Sequence, residues 1–368
     1  MKTPDAAGTA PNVMPTPHRG SAFWKSVLFR HETLLLAVLI VEWWFFYTYG
    51  TTTNRRGVVV GFGTWDRQFD ILRHSCEIGL LALALTPIIL TGGIDLSVGS
   101  LLGLCAVVFG HLSQAAGFSL PVATLLTLGL GALAGGLNAG LITGFRLPPL
   151  IVTLGTYSLF RGLAEALTRG AVTYTDFSPS FLFFGQERWL GLPVQAWMFL
   201  GVAVMIWFLV HSTTAGRSFR VIGFSPEGAR FAGIASNRQL GLVYVLAGII
   251  AALAAMIYTA RLGQAKADAG TGYELFAITA VVLGGTSIFG GKGSVTGTLL
   301  GVAAIAVLKN GLATLPSVIR MNAAEEMAGL LTGCLLIFVL TATTLSGSVL
   351  ARVRRWTLRA RQTGASLP

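Results

Sequence analysis

Hydrophobic positions dominate this chain in long runs that are separated by short polar stretches. A helix of about 20 apolar residues crosses the ~30 Å hydrocarbon core of a bilayer. By that measure the pattern predicts spans at residues 33–49, 76–92, 96–116, 119–144, 148–168, 193–211, 240–260, 274–289, 295–314 and 324–346. The predicted fold class is therefore all-α, a polytopic membrane helical bundle of about ten transmembrane helices with glycine-interrupted segments.

Composition supports a membrane protein and argues against one that binds nucleic acid. The chain is 53% hydrophobic and 11% charged, whereas soluble proteins carry about 25% charged residues. A net charge of +11 could suggest a nucleic-acid partner. The basic residues instead flank apolar runs, and they form no aromatic-basic patch in a soluble segment. We expect contact with membrane lipid and none with nucleic acid.

The distribution of Lys and Arg predicts the orientation in the membrane. Loops on the cytoplasmic side carry an excess of these residues. With both ends of the chain cytoplasmic, fifteen of them lie inside and ten outside, most densely in residues 352–361 and in the loop 212–239. The predicted organisation is a disordered cytoplasmic tail (1–32), a transmembrane domain (33–346) with a cytoplasmic loop (212–239), and a basic cytoplasmic tail (347–368).

The loop 212–239 contains a short predicted helix. Ser225 can cap free amides, Pro226 suits the first helical position, and Glu227 complements the helix dipole. Gly233 suits the C-terminal end. The resulting helix of about seven residues, 226–232, stands alone and is marginal by itself in water. It has to lie on the membrane interface, on its own bundle, or in a groove of a soluble partner.

Glycine interrupts the apolar pattern at "LTGGIDLSVGSLLGL", residues 90–104. Irregular backbone at membrane depth persists only where it is buried or lines a wet cavity, and glycine-interrupted segments are typical of transport sites. Gly92, Gly93, Asp95 and Ser97 are therefore candidates for a pathway or gate. Asp95 or Ser97 can alternatively cap the next helix, and both roles can hold together.

A second glycine-rich stretch, "TSIFGGKGS" at 286–294, approaches the phosphate-binding loop pattern without matching it. That pattern requires Gly, four residues, then Gly-Lys-Ser/Thr. Here Thr286 stands at the first glycine position and Gly293 follows Lys292. We therefore expect no nucleotide site, no bound cofactor and no metal in this chain, and no catalytic group of residues stands out.

Three stretches together resemble one family. "LTGGIDLSVGSLLGL", "GRSFRVIGFSPEGARFAGI" and "AITAVVLGGTSIFGGKGSVTGTLLG" occur in this order. They are similar to the hallmarks of sugar-type ATP-binding cassette importer permeases, the ribose/xylose/arabinose and branched-chain-permease-like family. The resemblance spans roughly residues 70–345. It implies that the loop helix, capped by Ser225, is the coupling helix that contacts an ATPase, a role that falls on Pro226, Glu227, Ala229, Arg230 and Gly233. At the position of Phe224, many members of the family have a small or polar residue instead.

The resemblance implies a permease subunit of the bacterial inner membrane that imports a monosaccharide or related polyol. A separate ATP-binding subunit would carry ATP and Mg, a periplasmic sugar-binding protein would deliver the solute, and a second copy or paralogue would complete the pathway. Because a sugar needs hydroxyl-binding groups, Asn138 and Asn310 are further lining candidates, although Asn138 also suits hydrogen bonding between helices. The alternative is an ion-coupled secondary transporter, for which Asp95 and Glu165 are the candidate carboxylates.

Overall fold

The structure, a computed structural model, describes residues 31–53, 59–315, 327–335 and 337. Its helices are α1 (His31–Tyr49), α2 (Trp65–Leu90), α3 (Val98–Gly110, extended by a π-helical turn at His111–Ala115), α4 (Leu120–Gly144), α5 (Pro149–Thr168), α6 (Pro179–Gln186), α7 (Val194–Ser212), α8 (Thr214–Phe224), α9 (Pro226–Phe231), α10 (Ser236–Leu262), α11 (Tyr273–Leu283) and α12 (Val295–Leu312). Residues 327–335 are also helical. Two antiparallel hairpins join β1 (Thr51–Thr53) to β2 (Val59–Gly61) and β3 (Arg188–Trp189) to β4 (Leu192–Pro193).

Eight helices within the described ranges are long and apolar enough to cross a membrane. The helical membrane bundle predicted from the pattern is thus confirmed. The predicted span 274–289 is shorter, because α11 ends at Leu283 and Gly285 turns the chain with a φ of 88°. Most of the predicted span 324–346, residues 1–30 of the predicted N-terminal tail and the predicted C-terminal tail lie outside the described residues. His31 and Glu32, predicted in the tail, begin α1.

Helices α2 and α10 form the centre of the bundle. Nearly every residue of α2 from Ser75 onward is buried, and α2 packs against α7, α10, α11 and α12. Helix α10 packs in turn against α3, α4 and α6. The outer helices expose large apolar side chains, for example Leu125, Leu133 and Val204. Apolar surface of this kind suits lipid contact, as hydropathy predicts.

Small residues let α4 and α10 approach closely. A methyl group at Gly131 would overlap the carbonyl oxygen of Gly248, and one at Gly248 would overlap that of Gly131. Gly135, one turn further along α4, lies against the backbone of Tyr244 in the same way. This small-residue spacing is typical of packed membrane helices. The crossing holds α4 firmly against the central helix.

Two segments between predicted spans contain regular structure. The segment between the predicted spans 33–49 and 76–92 is partly helical, because α2 begins at Trp65 and buries Ile71 while Asp70 stays accessible. The segment between the predicted spans 148–168 and 193–211 contains α6 and the β3–β4 hairpin. Gly185 of α6 lies directly on the backbone of Ala260 and Arg261, a packing contact that the local sequence does not reveal.

Candidate functional site

Helix α9 has the termini that the sequence predicts. The Ser225 hydroxyl accepts a hydrogen bond from the Gly228 amide at 3.0 Å, and Pro226 occupies the first turn. Ala229 is fully buried and anchors the helix to the body of the protein. The helix ends at Phe231, and Gly233 takes a φ of 74° just beyond it. The predicted helix is therefore confirmed with its C-terminal end one residue earlier.

Helix α9 does not stand alone, which corrects the sequence expectation. Helix α8 precedes it directly and is amphipathic, with Phe219 and Ile222 buried. Thr213 caps α8 by accepting from the Gly216 amide at 3.2 Å, and Arg220 donates to the carbonyl of Val210 at 2.9 Å. Because α8 packs on α2, α7 and α10, α9 rests on a docked platform.

The end of α8 touches two other glycine-rich stretches through backbone atoms. A methyl group at Gly223 would overlap the Leu90 carbonyl oxygen and lie 2.5 Å from the Gly291 nitrogen. The Gly291 amide itself donates to the Leu90 carbonyl at 2.9 Å. We call this meeting of Leu90, Gly223 and Gly291 the backbone junction. It brings together the three stretches that carry the family resemblance, which are far apart in sequence.

The loop 284–294 uses its own amides inside the protein. Gly290 donates to the Ser287 carbonyl at 2.9 Å, and Gly291 donates to Leu90 in the backbone junction. A phosphate-binding loop presents its amides to the ligand instead. The geometry thus agrees with the departure from the phosphate-loop pattern. No group of three or more metal-binding side chains occurs among the residues that were described.

Three phenylalanines in α8, α9 and the loop 284–294 project from the protein. Phe224 is 79% exposed, Phe231 91% and Phe289 78%. Phe224 ends α8, Phe231 ends α9, and Phe289 lies in the loop 284–294. Exposed aromatic side chains next to a structured helix are typical of a protein-docking surface. We call Phe224, Phe231 and Phe289 the phenylalanine surface.

A cavity of about 850 Å³ separates α9 from the first glycine break. Gly92 and Gly93 line it on one side, and Pro226 and Arg230 line it on the other. Two of the four predicted gate residues of the break therefore face the short helix across open space.

Asp95 and Ser97 lie in a buried hydrogen-bond network rather than in this cavity's lining. Asp95 Oδ1 accepts from the Ser97 amide at 2.8 Å and from its hydroxyl at 2.7 Å. Asn138 donates to the Ser97 hydroxyl at 2.9 Å, and Thr156 donates to Asn138 at 2.8 Å. Thr153 also donates to the Ile94 carbonyl at 3.1 Å. The network fastens the break to α4 and α5.

This network bears on the two roles considered for Asp95. Ser97 occupies the N-cap position of α3, but its side chain makes no capping bond. Asp95 instead binds the Ser97 amide, so the carboxylate organises the turn that starts α3. A gate role for Asp95, Ser97 and Asn138 stays a prediction, since each is at most 3% exposed within this subunit.

A second irregular stretch, residues 263–272, runs along the glycine face of α3. Methyl groups at Gly99 and Gly103 would contact the carbonyls of Gly270 and Ala269, at 2.8 and 2.9 Å. Arg161 donates to the Ala267 carbonyl and, at 3.1 Å, to that of Ala269. This stretch belongs to no helix. Two of its carbonyls accept from Arg161, which is the kind of protein partner that irregular backbone at membrane depth requires.

On the side of the hairpins, a cavity of about 230 Å³ is lined by α2, α10, α11 and α12. We call it the hairpin-side cavity. Glu77 and Arg261 form a bidentate ion pair beside it, with N–O distances of 2.6 and 2.9 Å. His74 Nδ1 lies 3.1 Å from Asn310 Oδ1, and the Asn310 amide nitrogen donates to Ala306. Of the predicted pathway residues, Asn310 is therefore the one in contact with this cavity.

Sequence reasoning did not find the rest of the lining. Arg261 ends a predicted span and is typical of an interface residue there, while Glu77 lies 184 positions away in the chain. The sequence signal that could have indicated these lining residues was the presence of ionisable residues inside apolar runs. Lys309, within the "AVLKNGL" run, carries that signal, and it lies 5.0 Å from the Phe276 ring and 5.6 Å from the Tyr273 ring.

Comparison with known proteins fits this geometry. The family model for "Branched-chain amino acid transport system / permease component" matches residues 68–340, which include all three hallmark stretches. The autoinducer 2 import system permease protein LsrD of Escherichia coli (strain K12) is 41% identical over 274 residues, 73% of this chain and 81% of the relative. The LsrD proteins of Shigella flexneri and Escherichia coli O157:H7 match with the same identity and coverage.

No solved structure matches the chain significantly. The family match covers most of the chain, and the resemblance that the three stretches suggested is confirmed. The chain therefore belongs to the branched-chain amino acid transport permease family, and it is a membrane-spanning permease subunit of an ATP-binding cassette importer.

Proposed function

We propose that this permease imports autoinducer 2 or a related small sugar-like solute, and that a separate ATPase drives it through α9. The proposal for the solute is supported by 41% identity to permeases whose names state autoinducer 2 import. The proposal for the drive is supported by one observation above all. The backbone junction connects α8, the platform of α9, to the end of α2 and to the loop 284–294.

The family implies an ATP-binding subunit and a periplasmic binding protein as partners. We propose that the ATPase docks on the phenylalanine surface and on α9, with Glu227 and Arg230 as polar contacts. Ser225, Pro226, Ala229 and Gly233 hold α9 in shape for this contact. Because α9 lies on the ATPase side, that side is cytoplasmic, and the even number of predicted spans places both chain ends there.

Transport follows from this arrangement in three steps. Closure of the ATPase moves α9 and α8 together, because the two helices pack against each other. The backbone junction passes the movement to α2. The bundle then opens toward one side of the membrane, with Gly92, Gly93 and the Asp95 network as the gate. A second permease copy or a paralogue completes the pathway.

ATP binds to the partner and not to this chain. The loop 284–294 lacks the required glycine and hydroxyl residue, and its amides at Gly290 and Gly291 already have protein partners. The ion-coupled alternative requires a membrane carboxylate that takes up the coupling ion. Asp95 is occupied by Ser97, and family membership favours the ATP-driven importer.

The coupling role is tested by replacing Glu227 and Arg230 together with alanine. We expect uptake to be lost while the protein still inserts, because the motion of the ATPase no longer reaches the bundle. Uptake of radiolabelled autoinducer 2 by cells that express the complete importer measures the effect, and immunoblots of membranes measure insertion.

A matched control removes a similar pair of charges on the other side of the membrane. Glu165 and Arg169, four residues apart at the end of α5, are both exposed. Their replacement by alanine should leave uptake near the wild-type rate. Normal uptake by the Glu227→Ala, Arg230→Ala protein would refute the coupling assignment, and loss of uptake in the control alone would favour ion coupling through Glu165.

A further inference from the structure

The hairpin-side cavity is a polar space lined by four helices of an apolar bundle. Protein interiors contain few voids larger than a water molecule. A volume of about 230 Å³ is several times the ~30 Å³ that one water occupies in the liquid. Its walls carry His74, Arg261, Lys309 and Asn310. A cavity with a few convergent polar groups is the usual form of a small-molecule site.

Aromatic rings form a corner of this cavity. Tyr258 and Tyr273 are nearly perpendicular, with an interplanar angle of 76° and ring centres 6.1 Å apart. Both side chains, together with Lys309, also line an adjoining groove of about 610 Å³. The hairpin-side cavity and the groove therefore adjoin at these three residues. Aromatic rings present apolar surface to the C–H groups of a ring-shaped solute, whose hydroxyls can still form hydrogen bonds.

The charges around the cavity favour an uncharged solute with many oxygen atoms. Glu77 neutralises Arg261 through two hydrogen bonds. Lys309 lies over the rings of Tyr273 and Phe276, which stabilise its positive charge. The carboxylate of Glu77 has no exposed surface. The lining includes the N–H groups of Arg261, Lys309 and Asn310, and N–H groups donate to hydroxyl and carbonyl oxygens.

We propose that the hairpin-side cavity binds a small, uncharged, polyhydroxylated solute, with Lys309 as hydrogen-bond donor and the Tyr258–Tyr273 corner as the aromatic wall against which the solute packs. The site lies within one subunit, on the side opposite α9. The proposal rests on the proposed importer function, in which this cavity is an intermediate binding site between the outside and the gate. The groove beyond Lys309 gives the solute a route into it.

The site is tested on the permease–ATPase assembly in lipid nanodiscs without the binding protein, so that only the membrane part can hold the probe. The probes are tritiated autoinducer 2 and tritiated ribose, measured by scintillation proximity. We expect at least one to bind saturably. Lys309→Met should weaken its binding by about tenfold, the loss expected for one hydrogen bond from a charged group, and Lys309→Arg should restore part of it.

The matched control is Lys292→Met in the loop 284–294, whose side chain is exposed on the opposite side. It should leave the affinity unchanged within about twofold. Unfolding midpoints of the variants show whether each protein is folded. Absence of binding by both probes, or equal affinities of folded Lys309→Met and Lys292→Met, would overturn the site. Displacement of the probe by equimolar inorganic phosphate would overturn the uncharged class of solute.

This experiment separates the two proposals. The Glu227→Ala, Arg230→Ala protein should bind the probe like the wild type although it does not transport. If that variant transports normally and the wild type still binds the probe through Lys309, the coupling assignment fails and the site stands. If uptake is lost as expected and no probe binds, the site fails and the coupling assignment stands.

Discussion

At the residue scale, the bundle contains an ion pair whose two members depend on each other. The Glu77 side chain has no exposed surface, and that of Arg261 is 13% exposed. A carboxylate in such a place is tolerated because its partner binds both oxygens. The pair also joins α2 to α10, the two central helices. Replacing either Glu77 or Arg261 by a neutral residue leaves the charge of the other buried and unneutralised.

We therefore expect Arg261→Met to destabilise the protein by about 3–5 kcal/mol, the usual cost of breaking a buried pair. Chemical unfolding in detergent, followed by tryptophan fluorescence, measures the change. The control is Arg188→Ala, which removes a pair with Asp66 whose side chains are 39% and 86% exposed. An exposed pair contributes less than about 1 kcal/mol. Equal losses in the two variants would show that the Glu77–Arg261 pair is not structural.

At the scale of elements, close helix crossings set the shape of the bundle. Gly131 and Gly248 bring α4 and α10 into backbone contact. Since the neighbouring atoms are main-chain carbonyls, no side chain can move aside for a larger residue. Overpacking in a closely packed interior costs about 1–3 kcal/mol and occasionally more.

Gly248→Val should accordingly destabilise the protein by at least about 1–3 kcal/mol, by forcing α4 and α10 apart. Gly140→Val is the control, because a methyl group at Gly140 meets nothing within 4 Å. Both positions lie inside helices, so the β-branched side chain carries a similar intrinsic cost in each. Unfolding midpoints in detergent report the difference, and similar midpoints would argue against the observed crossing.

Elements whose signals are local were predictable from the sequence. Ser225, Pro226 and Glu227 specify the start of α9 by capping chemistry within one turn, and the long apolar runs specify the spans. Helix α8 was not found, because "TAGRSFRVIGF" becomes a helix by docking Phe219 and Ile222 against other helices. The end of α11 was also missed, since the apolar run continues past the Gly284–Gly285 turn.

Contacts in the candidate site were predictable only where both residues lie in one short stretch of sequence. Asp95 and Ser97 are two positions apart, and their contact could be anticipated. Arg261 and Glu77 are 184 positions apart, and Arg67 donates to the carbonyl of Asn310 at 3.2 Å across an even longer separation. Such contacts arise from helix packing, which a single sequence does not specify. Lys309 was visible as a charge in an apolar run, but its aromatic neighbours were not.

At the scale of the whole molecule, the two ends of the bundle have different surfaces. The α9 end presents the phenylalanine surface and a large cavity, whereas the hairpin end presents the smaller polar cavity. The ATPase that we propose as the energy source docks at the α9 end and is a separate polypeptide. This division predicts how the isolated chain behaves.

Vesicles that contain only this chain should neither accumulate autoinducer 2 against a gradient nor hydrolyse ATP. Addition of the ATPase and the binding protein should produce both activities together. Filter-bound radiolabel and phosphate release measure them, and vesicles with the partners but without the permease are the control. Accumulation of autoinducer 2 by the permease alone, under an imposed proton or sodium gradient, would contradict the ATP-driven assignment.

Helix α2 links the two ends, because Leu90 belongs to the backbone junction and His74 lies beside the hairpin-side cavity. The helix has 26 residues, a length of about 39 Å at 1.5 Å per residue. Pro87, three residues before the junction, removes one backbone hydrogen bond and lets the helix bend there. Helix α2 is thus one packed element that reaches from the driven end to the opposite end of the bundle. We infer that a displacement of Leu90 is felt at His74, and that Pro87 is the place where the helix yields most easily.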